Sequence, residues 1–219
     1  MSDKSSIVTA QHFEYIARHT IPEDQFLIDL KAAALRAGIR PIWVSPEQAA
    51  FMRIIIGLAR VRDIVEVGTL AGYSAINMAR ALPPEGRVRT IELDPLCADF
   101  AEQWIARSDV AGKVVVHRGP GAEVMPKFAD GSADAVFLDA DKKSYPLYLR
   151  EAMRILRAGG LVMVDNAFAF GQLFDEHPTD PEVPDIKRFN EYMATFPGLR
   201  SVIIPIGDGC WVAQKTDSP

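Results

Sequence analysis

The sequence lacks the features of membrane-spanning and secreted proteins. No apolar run approaches the roughly 18 residues that a helix needs to cross a bilayer, and the start, MSDKSSIVTAQHFEY, has no apolar stretch typical of a secretion signal. Only two cysteines, Cys97 and Cys210, occur among 219 residues, too few for a disulfide framework or a zinc knuckle. These absences predict a cytoplasmic protein with free thiols and no membrane partner.

Basic clusters and histidine motifs are absent as well. The net charge is -5 and no run of lysine or arginine occurs, whereas a nucleic-acid-binding protein typically carries a basic stripe. The four histidines share no spacing typical of metal ligands. The sequence therefore argues against a nucleic-acid partner, and it predicts that any bound metal is a hard cation held by oxygen.

What the sequence does contain is an alternation of short apolar runs and helical segments. The runs are continuous in Val, Ile and Leu, which is typical of strands buried on both faces of a parallel sheet. This alternation predicts an α/β fold with a mostly parallel sheet and helices on both faces. Strands are predicted at 64–67, 88–91, 114–117, 135–138 and 161–164, and helices at 73–81, 95–107, 122–128 and 145–156.

The two ends of the chain depart from this alternation. Residues 9–60 are helical in pattern, and Ser45, Pro46 and Gln48 form a capping-box arrangement at the start of one helix. Near the other end, two β-rich runs flank Gly207-Asp208-Gly209, which predicts a hairpin that adds an antiparallel strand to the sheet edge.

The domain organisation follows from the absence of any linker, repeat or low-complexity segment. We therefore expect a single domain over residues 1–219. Within it, residues 1–60 would form helices that act as a lid, and residues 61–219 would form the α/β core.

A glycine loop follows the first predicted strand. The segment DIVEVGTLAGYSAINMA places Glu66, Gly68 and Gly72 at a strand-to-helix turn, where glycines let the backbone approach a ligand closely. About 20 residues further on, Glu92 ends the second strand, where an acidic residue can accept hydrogen bonds from ribose hydroxyls. A tight turn with a solvated acid is the alternative, but the combination of loop and acid favours a nucleotide-like ligand.

The spacing and charge of this loop narrow the choice of ligand. It reads G-x-x-x-G rather than the G-x-G-x-x-G of dinucleotide binders, and it lacks the lysine of a phosphate-binding loop. Glu66 would repel a pyrophosphate but suits a ligand that carries an ammonium or sulfonium group. S-adenosylmethionine (SAM) meets this requirement. An NAD-type oxidoreductase on a Rossmann sheet is the alternative, and the missing glycine motif counts against it.

Polar side chains also end two later strands. AVFLDADKKSY leads into Asp139, and GLVMVDNAFAFG leads into Asp165 and Asn166. Because these strand ends share one edge of the sheet, two carboxylates and an amide oxygen form a partial shell for Mg²⁺ or another hard cation such as Mn²⁺ or Ca²⁺. Taken singly, Asp139 could cap a helix, and the other two could be turn residues.

Lys142 lies three residues after Asp139 and can reach the same ligand. A bound cation stabilises a phenolate and lowers the pKa of a neighbouring lysine, which suits a general base. The open positions of the cation would take two adjacent oxygens of an acceptor. The sequence thus predicts Lys142 and Asp139 as catalytic residues, with Asp141 structural and Lys143 solvated.

Five segments in series resemble the metal-dependent O-methyltransferases of the catechol and caffeoyl-CoA type. They are EVGTLAGYSAINMARALP, IELDP, DADKKSY, VDN and PIGDG, and the resemblance spans residues 40–215. It implies a Rossmann-like class I methyltransferase with a seven-stranded sheet that is parallel except for a C-terminal hairpin strand. It also implies a homodimer, and SAM- and Mg²⁺-dependent transfer of a methyl group to one hydroxyl of a small catechol-like aromatic.

The resemblance carries a set of binding residues over to this sequence. The metal ligands would be Asp139, Asp165 and Asn166, the same three that the strand ends indicate. Ile42 stands where many relatives have methionine. SAM would contact Val44, Glu66, Gly68, Thr69, Tyr73, Ser74, Glu92 and Ala122.

The sequence departs from the family pattern beyond Asn166. Phe168 and Ala169 stand where relatives often have Leu-Trp, and that tryptophan helps to wall the acceptor site. Residues 167–185 form a long connection rich in Pro and Asp, of the kind that often carries specificity. The acceptor is left open among small catechols, phenylpropanoid thioesters, flavonoids and hydroxylated antibiotic precursors. A non-catalytic SAM-binding protein is a further alternative, against which the intact lysine and metal ligands argue.

Overall fold

A seven-stranded mixed sheet forms the centre of the computed structural model, which describes residues 8–216. In chain order the strands are β1 (Asp63–Val67), β2 (Arg87–Glu92), β3 (Val114–Arg118), β4 (Ala133–Leu138), β5 (Leu156–Val164), β6 (Leu199–Ile204) and β7 (Cys210–Lys215). Their order in space is β3-β2-β1-β4-β5-β7-β6. All neighbours are parallel except β5 with β7 and β6 with β7. The predicted mostly parallel sheet with a C-terminal antiparallel hairpin is confirmed.

Helices connect the strands and precede the first of them. They are α1 (Ala10–His19), α2 (Gln25–Arg36), α3 (Pro46–Leu58), α4 (Tyr73–Arg80), α5 (Pro95–Ile105), α6 (Gly121–Val124), α7 (Tyr145–Ile155) and α8 (Val183–Thr195). Short 3₁₀ turns lie at Met125–Lys127 and Lys142–Ser144. Among residues 8–216, no helix is both long enough and apolar enough to cross a membrane.

Alternate side chains of the central strands enter two separate cores. Ile64 and Phe137 pack with α2, α3, α4 and α5 on one face of the sheet, whereas Val65 and Val136 pack with α7 and α8 on the other. All four side chains are fully buried, as expected for the continuous apolar strands of a parallel sheet. With both faces covered, ligands can approach the sheet at the ends of its strands.

All four predicted helices end earlier in the structure, by one residue at Arg80 and Ile155, by two at Ile105 and by four at Val124. The helix predicted at 122–128 is α6, which ends at Val124 and continues as a 3₁₀ turn. Pro126 explains this change, because its ring clashes with the preceding turn and it has no N–H for a helical hydrogen bond. The helix predicted at 145–156 ends at Ile155, and β5 begins at once with Leu156 paired to Ala133. The prediction began that strand at 161, five residues later.

The predicted capping box at the start of α3 is confirmed for Ser45 and Pro46 but not for Gln48. Ser45 Oγ accepts a hydrogen bond from the backbone N–H of Gln48 at 3.3 Å, and Pro46 is the first helical residue. A capping box also requires the side chain of the third helical residue to hydrogen-bond back to the cap residue, but Gln48 Nε2 instead donates to Asp165 at 2.8 Å.

The single domain with a helical lid over residues 1–60 stays a prediction, and residues 1–7 lie outside the described part.

Candidate active site

The predicted site residues lie along one edge of the sheet. Glu66 and Gly68 lie at the end of β1, Glu92 ends β2, Asp139 follows β4, and Asp165 follows β5. The four strands are parallel neighbours, so their carboxyl ends open onto the same side of the molecule. This is the position at which open α/β sheets bind their ligands.

Gly68 brings the glycine loop against the end of β4. Its φ is +102°, and a Cβ atom added to it would lie 1.9 Å from the backbone oxygen of Asp139. A side chain is therefore excluded at this position by both conformation and space. The loop after β1 and the first predicted metal ligand meet through their backbones.

Glu92 holds the glycine loop from the neighbouring strand. Its Oε2 accepts hydrogen bonds from the backbone N–H groups of Thr69 at 3.1 Å and Leu70 at 2.7 Å. Its Oε1 accepts one from the backbone N–H of Asp94 at 2.8 Å. A carboxylate offers about four acceptor positions, so Glu92 can hold the loop and still accept a hydrogen bond from a ribose hydroxyl.

Glu66 is a fully buried carboxyl group beneath this loop. Its Oε1 accepts a hydrogen bond from Ser74 Oγ, whereas Oε2 is buried without a hydrogen-bond partner among the described residues. Burial raises the pKa of Glu66 to about 8, against the opposing effect of the hydrogen bond from Ser74 and of the nearby Thr90 hydroxyl. An unsatisfied buried acceptor costs about 1–3 kcal/mol. A ligand with an ammonium group would satisfy it, which fits the amine expected from the sequence.

The other predicted cofactor contacts differ in what their side chains do. Thr69 is buried and its Oγ1 is hydrogen-bonded beneath the loop. Tyr73 is 2% exposed, and burial together with the neighbouring Glu23 carboxylate raises its pKa. Its side chain therefore belongs to the packing of the amino-terminal helices on α4. Val44 is buried and Ala122 half-buried, so both can offer only apolar surface.

The predicted metal ligands follow the ends of β4 and β5, and the Asp139 and Asp165 carboxyl groups are near enough for the charge of one to affect the other. Burial first, and then the charge of Asp139, raises the pKa of Asp165 to about 7. No group of three or more His, Cys, Asp or Glu side chains within residues 8–216 is arranged to hold a metal. The predicted set instead combines two carboxylates with the amide of Asn166. This donor set fits a hard divalent cation, which would also relieve the repulsion between the carboxylates.

Two residues that the sequence did not connect with the predicted metal ligands are hydrogen-bonded to them. Gln48, which is 1% exposed, donates through Nε2 to Asp165 Oδ1 at 2.8 Å. Asn166 Nδ2 donates to Asp208 Oδ2 at 3.2 Å. Sequence patterns predicted only a helix cap for Gln48 and a hairpin turn for Asp208. The one signal in the sequence was the acidic residue Asp208 between two glycines, Gly207 and Gly209.

Lys142 is buried beside Asp139 on the following turn. Its Nζ donates to Asp139 Oδ1 at 3.1 Å and to the Tyr145 hydroxyl at 2.7 Å. Burial lowers the pKa of Lys142, but Tyr145 and Asp139 together raise it by more. The amine is therefore protonated at neutral pH in this arrangement. The lowered pKa expected of a general base requires that Asp139 share its charge with a cation.

The two residues on either side of Lys142 in the chain, Asp141 and Lys143, make no contact with the predicted ligands in the hydrogen bonds described. Asp141 Oδ1 accepts a hydrogen bond from the Tyr148 hydroxyl at 2.6 Å, and Lys143 is exposed. The backbone N–H of Lys142 donates to Glu182 Oε1 at 3.2 Å. Through this bond, the long segment that precedes α8 reaches the turn that carries the predicted base.

That segment begins with a series of left-handed residues after β5. Ala169, Phe170 and Gly171 have φ values of +54°, +58° and +77°, which is costly for the two residues that carry a Cβ atom. The carboxylate of Asp208 compensates, since it accepts hydrogen bonds from the backbone N–H groups of Phe170 at 2.8 Å and Gly171 at 3.2 Å.

The side chains of this segment differ from the wall expected for the family. Ala169, at the place of the tryptophan, is fully buried and contributes no ring. Phe168 packs on Gly209, where an added Cβ atom would lie 2.8 Å from the ring. Phe170 is 38% exposed and Phe174 is 92% exposed, so two aromatic side chains are available further along the same segment.

A family model and two curated proteins match most of the chain. The model is that of the O-methyltransferase family and matches residues 17–216. A catechol O-methyltransferase of Niastella koreensis is 36% identical over 185 residues, which cover 83% of this chain and 84% of that protein. A catechol O-methyltransferase of Mycobacterium tuberculosis is 35% identical over 184 residues, which cover 84% of this chain and 83% of that protein.

Solved structures of similar proteins share the fold along nearly the whole chain. The O-methyltransferase from Bacillus cereus in complex with SAH (S-adenosylhomocysteine) has a TM-score of 0.83 at 30% identity, covering 93% of this chain and 96% of that one. The O-methyltransferase TomG from Streptomyces achromogenes, involved in tomaymycin synthesis and in complex with SAM, has a TM-score of 0.82 at 31% identity. That match covers 94% of this chain and 96% of TomG.

Proposed function

The chain belongs to the O-methyltransferase family, and we propose that it methylates one hydroxyl of a small aromatic acceptor that carries two adjacent hydroxyls, with SAM as donor and a divalent cation bound. One observation carries the proposal. The glycine loop lies against the first predicted metal ligand, because Gly68 meets the backbone oxygen of Asp139. Donor and acceptor would therefore lie side by side in one crevice, and holding two reactants together supplies much of a rate acceleration.

The donor would bind at the ends of β1 and β2. Glu66 Oε2 is a buried acceptor without a partner among the described residues, and the donor's ammonium group would supply that partner. Glu92, which already holds the loop through backbone N–H groups, would accept hydrogen bonds from the ribose. Two similar proteins have structures with SAH or SAM bound, which supports the choice of SAM as the donor.

A divalent cation would be held by Asp139, Asp165 and Asn166. The choice of Mg²⁺, or of Mn²⁺ or Ca²⁺, rests on the donor set, which contains only oxygen atoms. When bound, such a cation stabilises a deprotonated hydroxyl and orients its neighbour, which a phenol of pKa near 10 needs in order to react at neutral pH. The raised pKa of Asp165, about 7, supports this role, because a cation would offset the Asp139 charge that helps to raise it.

Lys142 would accept the proton of the reacting hydroxyl at Nζ. It can do so only as the neutral amine, a form that becomes accessible when Asp139 Oδ1, its partner at 3.1 Å, shares its charge with a cation. The hydroxyl oxygen then forms a bond to the methyl carbon while the bond between that carbon and sulfur breaks. Charge is neutralised in this step, which a site shielded from water favours.

The acceptor class rests on the relatives and on the ligand set. Two similar curated proteins are catechol O-methyltransferases, and a catechol offers the two adjacent oxygens that a partly filled oxygen shell can take.

We further propose a cytoplasmic homodimer in which residues 1–60 form a lid. Sedimentation at micromolar concentration tests the dimer, and a 24.1 kDa species as the sole component would contradict it.

Mass spectrometry of reaction mixtures tests the proposed activity. The protein is incubated with SAM and a panel of catechols, with Mg²⁺ in one tube and EDTA in the other, and monohydroxy analogues serve as matched controls. We expect one methyl group on the catechols in the Mg²⁺ tube and none elsewhere. Methylation that persists in EDTA would contradict the cation's role, and methylation of the monohydroxy analogues would contradict the acceptor class.

A further inference from the structure

Asp165 and Asn166 are adjacent residues, and each side chain ends in two polar atoms: two oxygens in Asp165, and one oxygen and one nitrogen in Asn166. Either oxygen of a carboxylate can bind a cation, but an amide can do so only through Oδ1, because its nitrogen has no free lone pair to offer. A working site therefore depends on how these side chains are turned. No ligand residue in the proposed set determines that orientation by itself.

Asp208 determines the orientation of the Asn166 amide. A carboxylate can only accept hydrogen bonds, so the amide must direct Nδ2, and not Oδ1, toward Asp208 Oδ2, from which it lies 3.2 Å. This leaves Asn166 Oδ1 as the atom free for a cation. Asp208 itself is held by two further donors, the backbone N–H groups of Phe170 and Gly171 at 2.8 and 3.2 Å.

Gln48 determines the orientation of the Asp165 carboxylate. Its Nε2 donates to Asp165 Oδ1 at 2.8 Å. The other end of the Gln48 amide lies against Gly207, where an added Cβ atom would be 2.0 Å from Oε1. The amide is thus confined on both sides and fully buried at 1% exposure. Since Gly207 precedes Asp208, Gln48 and Asp208 belong to one packed unit formed by the start of α3 and the β6–β7 turn.

We propose that Gln48 and Asp208 are positioning residues for the metal site: Gln48 presents one oxygen of Asp165, and Asp208 presents Oδ1 of Asn166. This inference rests on the proposed function, because the two ligands have this task only if a cation binds. Partners of this kind around metal ligands typically account for about 10–100-fold in metal affinity. The proposal gives a function to the Gly207-Asp208-Gly209 turn beyond that of closing a hairpin.

Mn²⁺ binding followed by electron paramagnetic resonance tests the proposal without any need for turnover. The variants Gln48→Met and Asp208→Asn keep side-chain volume while they remove the donor or the acceptor-only group. Gln103→Met and Asp175→Asn are matched controls at exposed positions. We expect each of the first two variants to weaken Mn²⁺ binding about tenfold or more, and each control to bind within about twofold of the parent protein.

Titration calorimetry with SAH shows whether each variant remains folded at the neighbouring site. We expect SAH affinity within about twofold of the parent protein for all variants, since Glu66 and Glu92 lie on other strands. Unchanged Mn²⁺ affinity in both Gln48→Met and Asp208→Asn would overturn the proposal. If the parent protein itself binds no Mn²⁺, the cation's part in the proposed function fails first, and this inference fails with it.

A reciprocal exchange separates orientation from a purely structural role of Asp208. In the double variant Asn166→Asp with Asp208→Asn, the carboxylate at position 166 offers an oxygen to the cation whichever way it is turned, so it needs no orienting partner. If Asp208 acts by orienting the amide, the exchange restores Mn²⁺ affinity to within about threefold of the parent, although Asp208→Asn alone does not. If the double variant binds Mn²⁺ no better than Asp208→Asn, the orienting role is wrong.

Discussion

The glycine loop after β1 and the Asp165–Asn166 turn after β5 lie on the same edge of the sheet but are held in different ways. The loop is held through its backbone, because Glu92 accepts hydrogen bonds from the N–H groups of Thr69 and Leu70 on the neighbouring strand connection. The turn is held through its side chains, by Gln48 from α3 and by Asp208 from the hairpin.

This difference indicates which half of the site depends on a cation. The shape of the loop is complete without one, and Glu66 Oε2 at the end of β1, which has no hydrogen-bond partner among residues 8–216, would be satisfied by an ammonium group. At the turn, the neighbouring charge of Asp139 contributes to the raised pKa of Asp165, and Lys142 pairs with Asp139. We therefore expect donor binding to be independent of metal and acceptor binding to require it. The predictions below test this separation, from the largest effect to the smallest.

Replacing Asp139 by asparagine should have the largest effect. The change removes one of two carboxylate ligands and the partner of Lys142, so kcat/KM should fall on the order of 1000-fold, equivalent to about 4 kcal/mol. SAH affinity should stay within about threefold. Asp141→Asn is the matched control, since that carboxylate contacts Tyr148, and it should change kcat/KM by less than about threefold. An equal loss in both variants would contradict the assignment.

Lys142→Met should lower kcat about 100-fold, because a positioned general base contributes at least that much. Steady-state kinetics measure the effect, and Lys143→Met, a change at the exposed neighbour, serves as its control. Binding of SAH should be retained, since the change lies outside the donor half. A variant with the kcat of the parent protein would show that another group takes the proton.

Glu66 should make donor binding depend on pH. With a pKa of about 8, the carboxyl group is protonated at lower pH and must lose its proton to pair with the ammonium group of SAH. Affinity should therefore rise about tenfold in total as the pH increases from 6 through 8, and it should level off above about pH 9. Glu66→Gln, which is neutral at every pH, should bind SAH about tenfold more weakly than the parent protein at pH 9 and show no such rise. A flat profile for the parent protein in titration calorimetry would be incompatible with this role.

Phe174→Ser should have the smallest effect and act only on the acceptor side. The side chain is 92% exposed, so the free energy of unfolding should change by less than about 0.5 kcal/mol. Because its segment reaches Lys142 through Glu182, we expect KM for a catechol to rise about threefold while KM for SAM is unchanged. Leu58→Ser, at 79% exposure on α3, is the control and should alter neither KM.

Local patterns were sufficient to predict the parallel strands, the hairpin, and the places of the glycine loop and of the three proposed ligands at the strand ends. Continuous apolar runs ended by glycines or carboxylates mark strand ends, and parallel strands bring these ends to one edge. The partners of the ligands could not be predicted in this way. Gln48 lies 117 residues from Asp165, and Asp208 lies 42 residues from Asn166. Tertiary packing decides which side chains meet over such separations. Local helix and turn patterns contain no information about these contacts.

The same limit explains the wrong boundaries. Pro126 and the glycines near the start of β5 were visible in the sequence, but their consequences depend on neighbouring elements. Leu156 enters the sheet because Ala133 of β4 lies beside it, and no local apolar pattern indicates that pairing. The missing tryptophan at Ala169 was apparent from the family resemblance, whereas the left-handed turn that Asp208 supports was not.

Calorimetric titration of a catechol into SAH-saturated protein, once with Mg²⁺ and once with EDTA, tests the central claim most directly. The account predicts that SAH binds with the same affinity in both buffers and that the catechol binds only when Mg²⁺ is present. Equal catechol affinity in EDTA would contradict it, because the acceptor would then be held without the cation that Asp139, Asp165 and Asn166 are proposed to bind.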